Sequence, residues 1–163
     1  MDVYTPEEFE RINKTKDKND KMEDFFNDKR GQWNKNIEPL FDSIKTSITS
    51  ETTQKVIDTQ SLALSYRQVI NEEISFFLNR RSKEDVNLKK LRQDKFLFYA
   101  TGFGLKTSMG EKNVLIEAHI AENERSIQLI DVHVDFLRSC SKNLEALSFT
   151  IKNIIELYNY LGR

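Results

Sequence analysis

The sequence predicts an all-α protein: a helical hairpin or bundle closed by a long C-terminal, coiled-coil-like helix that oligomerises. Two observations predict it. Only 5 of the 163 residues are Gly and 2 are Pro, while 31% are charged, a composition suited to soluble helices rather than to a β-sandwich or barrel. Apolar residues near the C-terminus also recur at steps alternating between three and four, the spacing of a helical seam. A chain of this length can bury a real core.

In chain order, Thr5-Pro6-Glu7-Glu8 has the features of a helix start, with a capping hydroxyl, a first-turn proline and acids at the positive end of the helix dipole. Residues 13–21 are polar throughout and offer no apolar face. Pro39 then divides Trp33 and Ile37 from Leu40, Phe41 and Ile44. Residues 1–55 therefore read as a charged extension of short, weakly anchored or partly disordered helices. The Ser/Thr-rich stretch 43–53 reads as a linker.

Residues 56–163 form the second unit. Asp58 or Ser61 caps a predicted helix to about Asn79, with Leu62, Tyr66, Val69, Ile70, Phe77 and Leu78 at helical spacing. Ser82 and Asp85 have the spacing of a capping box, so a new helix is expected from Lys83 to Ala100. Thr101-Gly-Phe-Gly104 ends it, in a polar loop reaching Gly110. A short helix over 112–120 and a bend near Ala121 precede the last helix, Asn123–Leu161. Its seam is Ile127, Ile130, Val134, Leu137, Ser141, Leu144, Ser148, Ile151, Ile155 and Tyr158. A second stripe runs through Leu129, Phe136, Cys140, Leu147, Ile154 and Leu161. Two stripes exceed what one partner helix covers, so one is expected to pack within the chain and the other between subunits. Leu137, Leu144, Leu147, Ile151, Ile154, Ile155 and Tyr158 are the expected oligomerisation residues.

Net charge is only -1, yet it is unevenly spread. Residues 79–112 carry nine Lys or Arg against four Asp or Glu, while both flanks are acidic. Within this stretch Lys89, Lys90, Arg92 and Lys95 occupy four of eight positions and lead into Phe96-Leu-Phe-Tyr99. Cations attract a phosphate backbone and aromatic faces stack on bases, a combination suited to single-stranded nucleic acid. The DNA-binding candidates are Arg80, Arg81, Lys83, Lys89, Lys90, Arg92, Lys95 and Lys106, with Tyr99 and Phe103 as stacking residues. Phe96 and Phe98 are expected in the core. The same charge run also describes a solvated helix face.

No catalytic constellation emerges. Gly102-Phe-Gly-Leu-Lys106 is not a phosphate-binding loop, because Leu105 stands where a glycine must precede the lysine. His119 and His133 lack zinc-ligand spacing and are expected at the surface or partly buried. Cys140 falls on an apolar stripe, and one cysteine excludes an internal disulfide. No cofactor or metal is expected. No apolar run is long enough to span a membrane, and the N-terminus is not a signal peptide, so a cytoplasmic location (the host cytoplasm for a viral chain) is expected.

Several stretches together resemble one family. They are Ile57-Asp-Thr-Gln-Ser-Leu62, Phe76-Phe-Leu-Asn79, and the basic helix Leu88-Lys-Lys-Leu-Arg-Gln-Asp-Lys95 closing on Tyr99 and Gly102. Val134-Asp-Phe-Leu-Arg-Ser-Cys-Ser-Lys-Asn-Leu144 and Phe149-Thr-Ile-Lys-Asn-Ile-Ile-Glu156 complete the set. Their order and spacing over 56–163 resemble the UvsY family of phage recombination mediators. The resemblance implies a non-enzymatic protein that binds single-stranded DNA through its basic helix and forms rings through its C-terminal helix. It implies two protein partners, a RecA-like recombinase and the single-strand DNA-binding protein displaced for it, acting in homologous recombination and repair. Lys95 matches the family's basic position four before Tyr99; Gln93 stands where the family is often basic, and Arg92 is its nearest substitute. The alternative is a coiled-coil scaffold or virion component without nucleic-acid binding.

Overall fold

The computed structural model describes residues 6–12, 17–45, 50–102 and 108–162. They form four helices: α1 (Pro6–Ile12), α2 (Lys18–Ser43), α3 (Ser50–Leu97) and α4 (Met109–Leu161), with a π-helical turn, Phe98–Gly102, ending α3. The described residues contain no strand, so the fold is all-α.

Two helices are longer than the sequence suggests. α3 runs 48 residues, about 72 Å at 1.5 Å per residue, through both the expected linker end and the expected break at Ser82. No Gly or Pro interrupts 50–97, so nothing in the backbone enforces a stop there. Asp85 is not a cap residue but pairs with Lys89, one turn on, at 2.8 Å. α4 likewise runs 53 residues, joining the short helix expected over 112–120 to the last one. Its true start is a capping box. The Ser108 hydroxyl accepts from the Glu111 N–H, and the Glu111 carboxylate accepts from the Ser108 N–H at 2.7 Å. The Ser108 N–H foremost, and then the Ser108 hydroxyl, which donates to the same carboxylate at 3.0 Å, hold the Glu111 carboxyl below the usual range.

α3 and α4 pack as an antiparallel hairpin. Arg67 faces Glu145, Arg81 faces Asp131, Arg92 faces Glu124, and Tyr99 faces His119. α2 lies along this hairpin and completes a three-helix body. At its N-terminal end the Asn19 amide donates to the Glu122 carbonyl, and the Ser126 hydroxyl donates to Asn19 at 2.6 Å. At its C-terminal end Ser43 and Thr59 share a hydroxyl–hydroxyl bond. Pro39 does not divide α2 but sits within it near its end, beside buried Ile37 and Leu40.

The expected weak anchoring of the N-terminal helices is not what the structure shows. Phe9, Met22, Phe25, Phe26, Trp33, Ile37 and Leu40 join Ala63, Tyr66, Ile70 and Phe77 of α3 and Leu137, Leu144 and Leu147 of α4 in one core. The apolar residues of α2 were sparse enough to read as a loose helix, but they fall on a single stripe that the hairpin groove receives.

That groove also contains polar groups. The Trp33 indole N–H donates to Glu73 at 3.1 Å, and the other Glu73 carboxylate oxygen has no partner among the described residues. Burial pushes the Glu73 carboxyl up to about 7, against the opposing pull of the Trp33 bond and Lys29. His133 is fully buried, contrary to expectation, and stacks on Phe26 at 4.4 Å. Neither ring nitrogen has a partner among the described residues. Burial, then Arg30 and Lys29, push its pKa down to about 3. Cys140 is buried in the core, and burial pushes its thiol up to about 11.

α2 begins beside Glu122 and Ser126, and past it α3 (85–97) and α4 (109–121) run on as a two-helix arm. The π-helical turn lies at its tip. The basic stretch of the sequence falls largely on this arm.

Candidate nucleic-acid interface

The arm continues the α3 seam without its third helix. Ala63, Tyr66, Ile70, Glu73, Phe77 and Glu84 are buried, whereas Leu88, Leu91 and Lys95 at the same spacing are only half-buried. Tyr99 is buried again at the tip, where its hydroxyl meets His119 Nε2 at 2.8 Å. A ring held in this way presents no face to a base, so Tyr99 is a packing residue rather than a stacking platform. Phe96 and Phe98, expected in the core, are 44% and 49% exposed. The reversal has a simple cause: the arm has one helix interface, and a two-helix seam shelters fewer positions than a three-helix one.

The cations divide into two sets. Arg80 reaches Glu10 on α1 at 3.2 Å and Glu84 at 3.4 Å, and its side chain is largely covered. Arg81 donates to Asp131 at 2.8 Å, which raises its pKa through that bond. Lys89 pairs with Asp85, whose carboxyl that contact lowers. Arg92 bridges Glu117 at 3.2 Å and Glu124 at 3.0 Å. Lys83, Lys90 and Lys95, by contrast, make no ion pair among the described residues. Lys83 and Lys90 are exposed and, seven residues apart, share one face of α3. Lys106 and Phe103 lie outside the described residues.

The field of the basic stretch is therefore weaker than its linear charge implies. Glu10, Glu117, Glu124 and Asp131 come from outside the stretch and sit on its arginines. Sequence reading missed this set, yet a signal was present. Glu117, Glu124 and Asp131 stand at successive seven-residue intervals on α4, with Glu145 two heptads further on. Such a file marks one helix edge, and here α3 places Arg92, Arg81 and Arg67 along it.

The expected oligomerisation residues also divide. Leu137, Leu144, Leu147 and Ile151 are fully buried within this chain, which corrects their assignment to a subunit contact. α2, read as loose, occupies the face they present. Ile154 and Ile155 are half-buried, and Tyr158 is exposed. Phe149, Leu157, Tyr160 and Leu161 add exposed apolar surface to the same end of α4.

No His, Cys, Asp or Glu group suited to holding a metal occurs among the described residues. No described helix is long and apolar enough to cross a membrane. No protein-family model, curated protein or solved structure matches the chain.

Proposed function

We propose that this protein is a non-enzymatic recombination mediator that binds single-stranded DNA along the α3–α4 arm. One observation carries the reading: Lys90 and Lys95 on the arm, and Lys83 at its base, make no ion pair among the described residues and lie on the same helix as the exposed rings of Phe96 and Phe98. Lysines track a strand's phosphates and phenylalanines stack on its bases, with no need for a base sequence. The stretches that resemble the UvsY family support the same reading and supply the partners, a RecA-like recombinase and the single-strand DNA-binding protein it replaces.

In this reading the protein acts as a homo-oligomer, in keeping with the family's rings, and repeats weak sites along one strand to gain avidity. The self-association surface is the exposed end of α4, Phe149, Leu157, Tyr158, Tyr160 and Leu161. Anisotropy of a labelled single-stranded oligonucleotide, titrated at two salt concentrations, tests the proposal. Three free lysines per subunit give log K a slope of roughly -2 against log salt, at about -0.7 per phosphate. No binding in dilute buffer would reject it.

A second reading has an observation of its own. Arg80, Arg81, Lys89 and Arg92 are already paired with carboxylates, as in a protein whose charges only solvate and register its helices. That protein is a coiled-coil scaffold or assembly component. The same titration separates the two, because the scaffold self-associates and leaves the oligonucleotide free.

A further inference from the structure

We infer that Glu117 and Glu124 act as an internal anion that competes with the nucleic-acid strand for Arg92 and so sets the affinity of the arm. The inference rests on the single-stranded DNA reading above and adds a regulatory element to the same surface.

The geometry is specific. Arg92 Nη2 lies 3.2 Å from a Glu117 oxygen and 3.0 Å from a Glu124 oxygen, so two carboxylates converge on one guanidinium nitrogen. They stand seven residues apart on α4, about 10 Å along the axis, and Arg92 fills the space between them. The guanidinium side chain is half-exposed, so an incoming phosphate can reach it. A guanidinium fork fits a phosphate in the way it fits a carboxylate. Strand binding at Arg92 therefore exchanges one set of charge-assisted hydrogen bonds for another instead of adding a new one. Asp131 holds Arg81 in the same manner one heptad further along.

Exposed pairs of this kind contribute little to folding. Their larger consequence is for binding. Carboxylates fixed on the same hairpin compete at high effective concentration. A lone phosphate does not displace them, while a strand already gripped by Lys83, Lys90 and Lys95 brings its next phosphate in at comparable effective concentration. The arm thereby favours polymers over small anions.

The test is Glu117→Gln with Glu124→Gln in the full chain, titrated with a labelled single-stranded oligonucleotide at four salt concentrations. The expected result is binding tighter by about three- to tenfold. Its salt slope should be steeper than the parent's by about 0.7, for one more neutralised phosphate. In an Arg92→Gln background the gain should vanish. Neutralising Asp24 and Glu38, exposed on α2, removes the same formal charge and should not reproduce the change in slope. Glu117→Gln alone, with Glu124 left on Arg92, should give an intermediate gain and guards against misfolding of the double variant. A parent that binds while the double variant matches it in affinity and slope overturns the inference and leaves the DNA reading standing. A gain that survives Arg92→Gln also overturns it. If neither parent nor variant binds in dilute buffer, both readings fall.

Discussion

The body and the arm are built on the same two helices, yet they solve different problems. In the body, α2 covers the α3–α4 groove, and a continuous seam from Val56 to Glu84 is buried. In the arm the seam continues through Leu88, Leu91 and Lys95, and these side chains stay half-exposed. Burial depends on the number of neighbours as much as on the helical repeat. The body spends its apolar residues on stability. The arm leaves Phe96, Phe98, Val86 and Val114 exposed to solvent.

The sharpest way to break this contrast is to remove an anchor of α2. Trp33→Ala deletes a fully buried ring and leaves the Glu73 carboxylate without its indole donor. We expect a loss of about 3–5 kcal/mol in denaturant unfolding. Ile120→Ala in the arm, where the side chain is also fully buried but α2 is absent, should cost about 2–3 kcal/mol. Equal losses at the two sites would dissolve the distinction.

Two buried titratable groups of the body, Glu73 and His133, give opposite pH slopes. Glu73 is raised from 4.5 to about 7, so its folded form holds the proton more tightly. The stability this contributes is complete below pH 4.5 and declines as the pH climbs to about 7. His133 is lowered from 6.5 to about 3, so its contribution is complete above pH 6.5 and declines as the pH falls toward 3. Between pH 4.5 and 6.5 the two trends oppose each other and largely cancel. Glu73→Gln should therefore raise stability by about 1–3 kcal/mol at pH 8. It should also leave a curve that falls with acid over that window. His133→Phe should leave a curve that rises with acid. Urea midpoints measured from pH 4 to 8 check both slopes, and parallel curves for the two variants would contradict the assignment.

The correction to the self-association surface changes which variants are informative. Leu144→Asp now tests folding, because the side chain is fully buried in its own chain. Leu157→Glu with Tyr160→Glu alters only exposed positions and should leave the unfolding midpoint nearly unchanged. Sedimentation should then show smaller particles, with oligonucleotide affinity reduced through lost avidity. An unaltered assembly would place the contact elsewhere.

The smallest expected effect on stability belongs to the exposed lysines of α3 at the base of the arm and along it. Lys83→Ala with Lys90→Ala should change stability by no more than about 0.5 kcal/mol, since neither side chain makes an ion pair among the described residues. The same variant should flatten the salt slope of DNA binding by about 1.4, or two phosphates. An unchanged slope would remove these lysines from the interface.

Two short motifs show how legible the chain was. Ser82-Lys-Glu-Asp85 and Ser108-Met-Gly-Glu111 have the same spacing, and only the second caps a helix. The difference lies in their surroundings. Ser82 sits inside a stretch with no Gly or Pro, while Ser108 follows the Gly102 and Gly104 region. Phe96 and Tyr99 part ways for a different reason. Both are aromatic and both fall near an apolar stripe, and only the partner helix, through His119 and the missing third neighbour, decides which ring is sheltered.

By itself the sequence determined that the chain is helical and where its seams run, because helix propensity and the three–four repeat are local properties. It also determined where the positive charge is concentrated. Tertiary structure alone decided how many helices share each seam. That number turned Leu144 and Ile151 into interior residues and left Phe98 outside. Tertiary structure also decided which arginines meet carboxylates, since Arg92 and Glu124 are 32 residues apart and come together only when the hairpin closes. Charge compensation acts through space, and no linear count contains it.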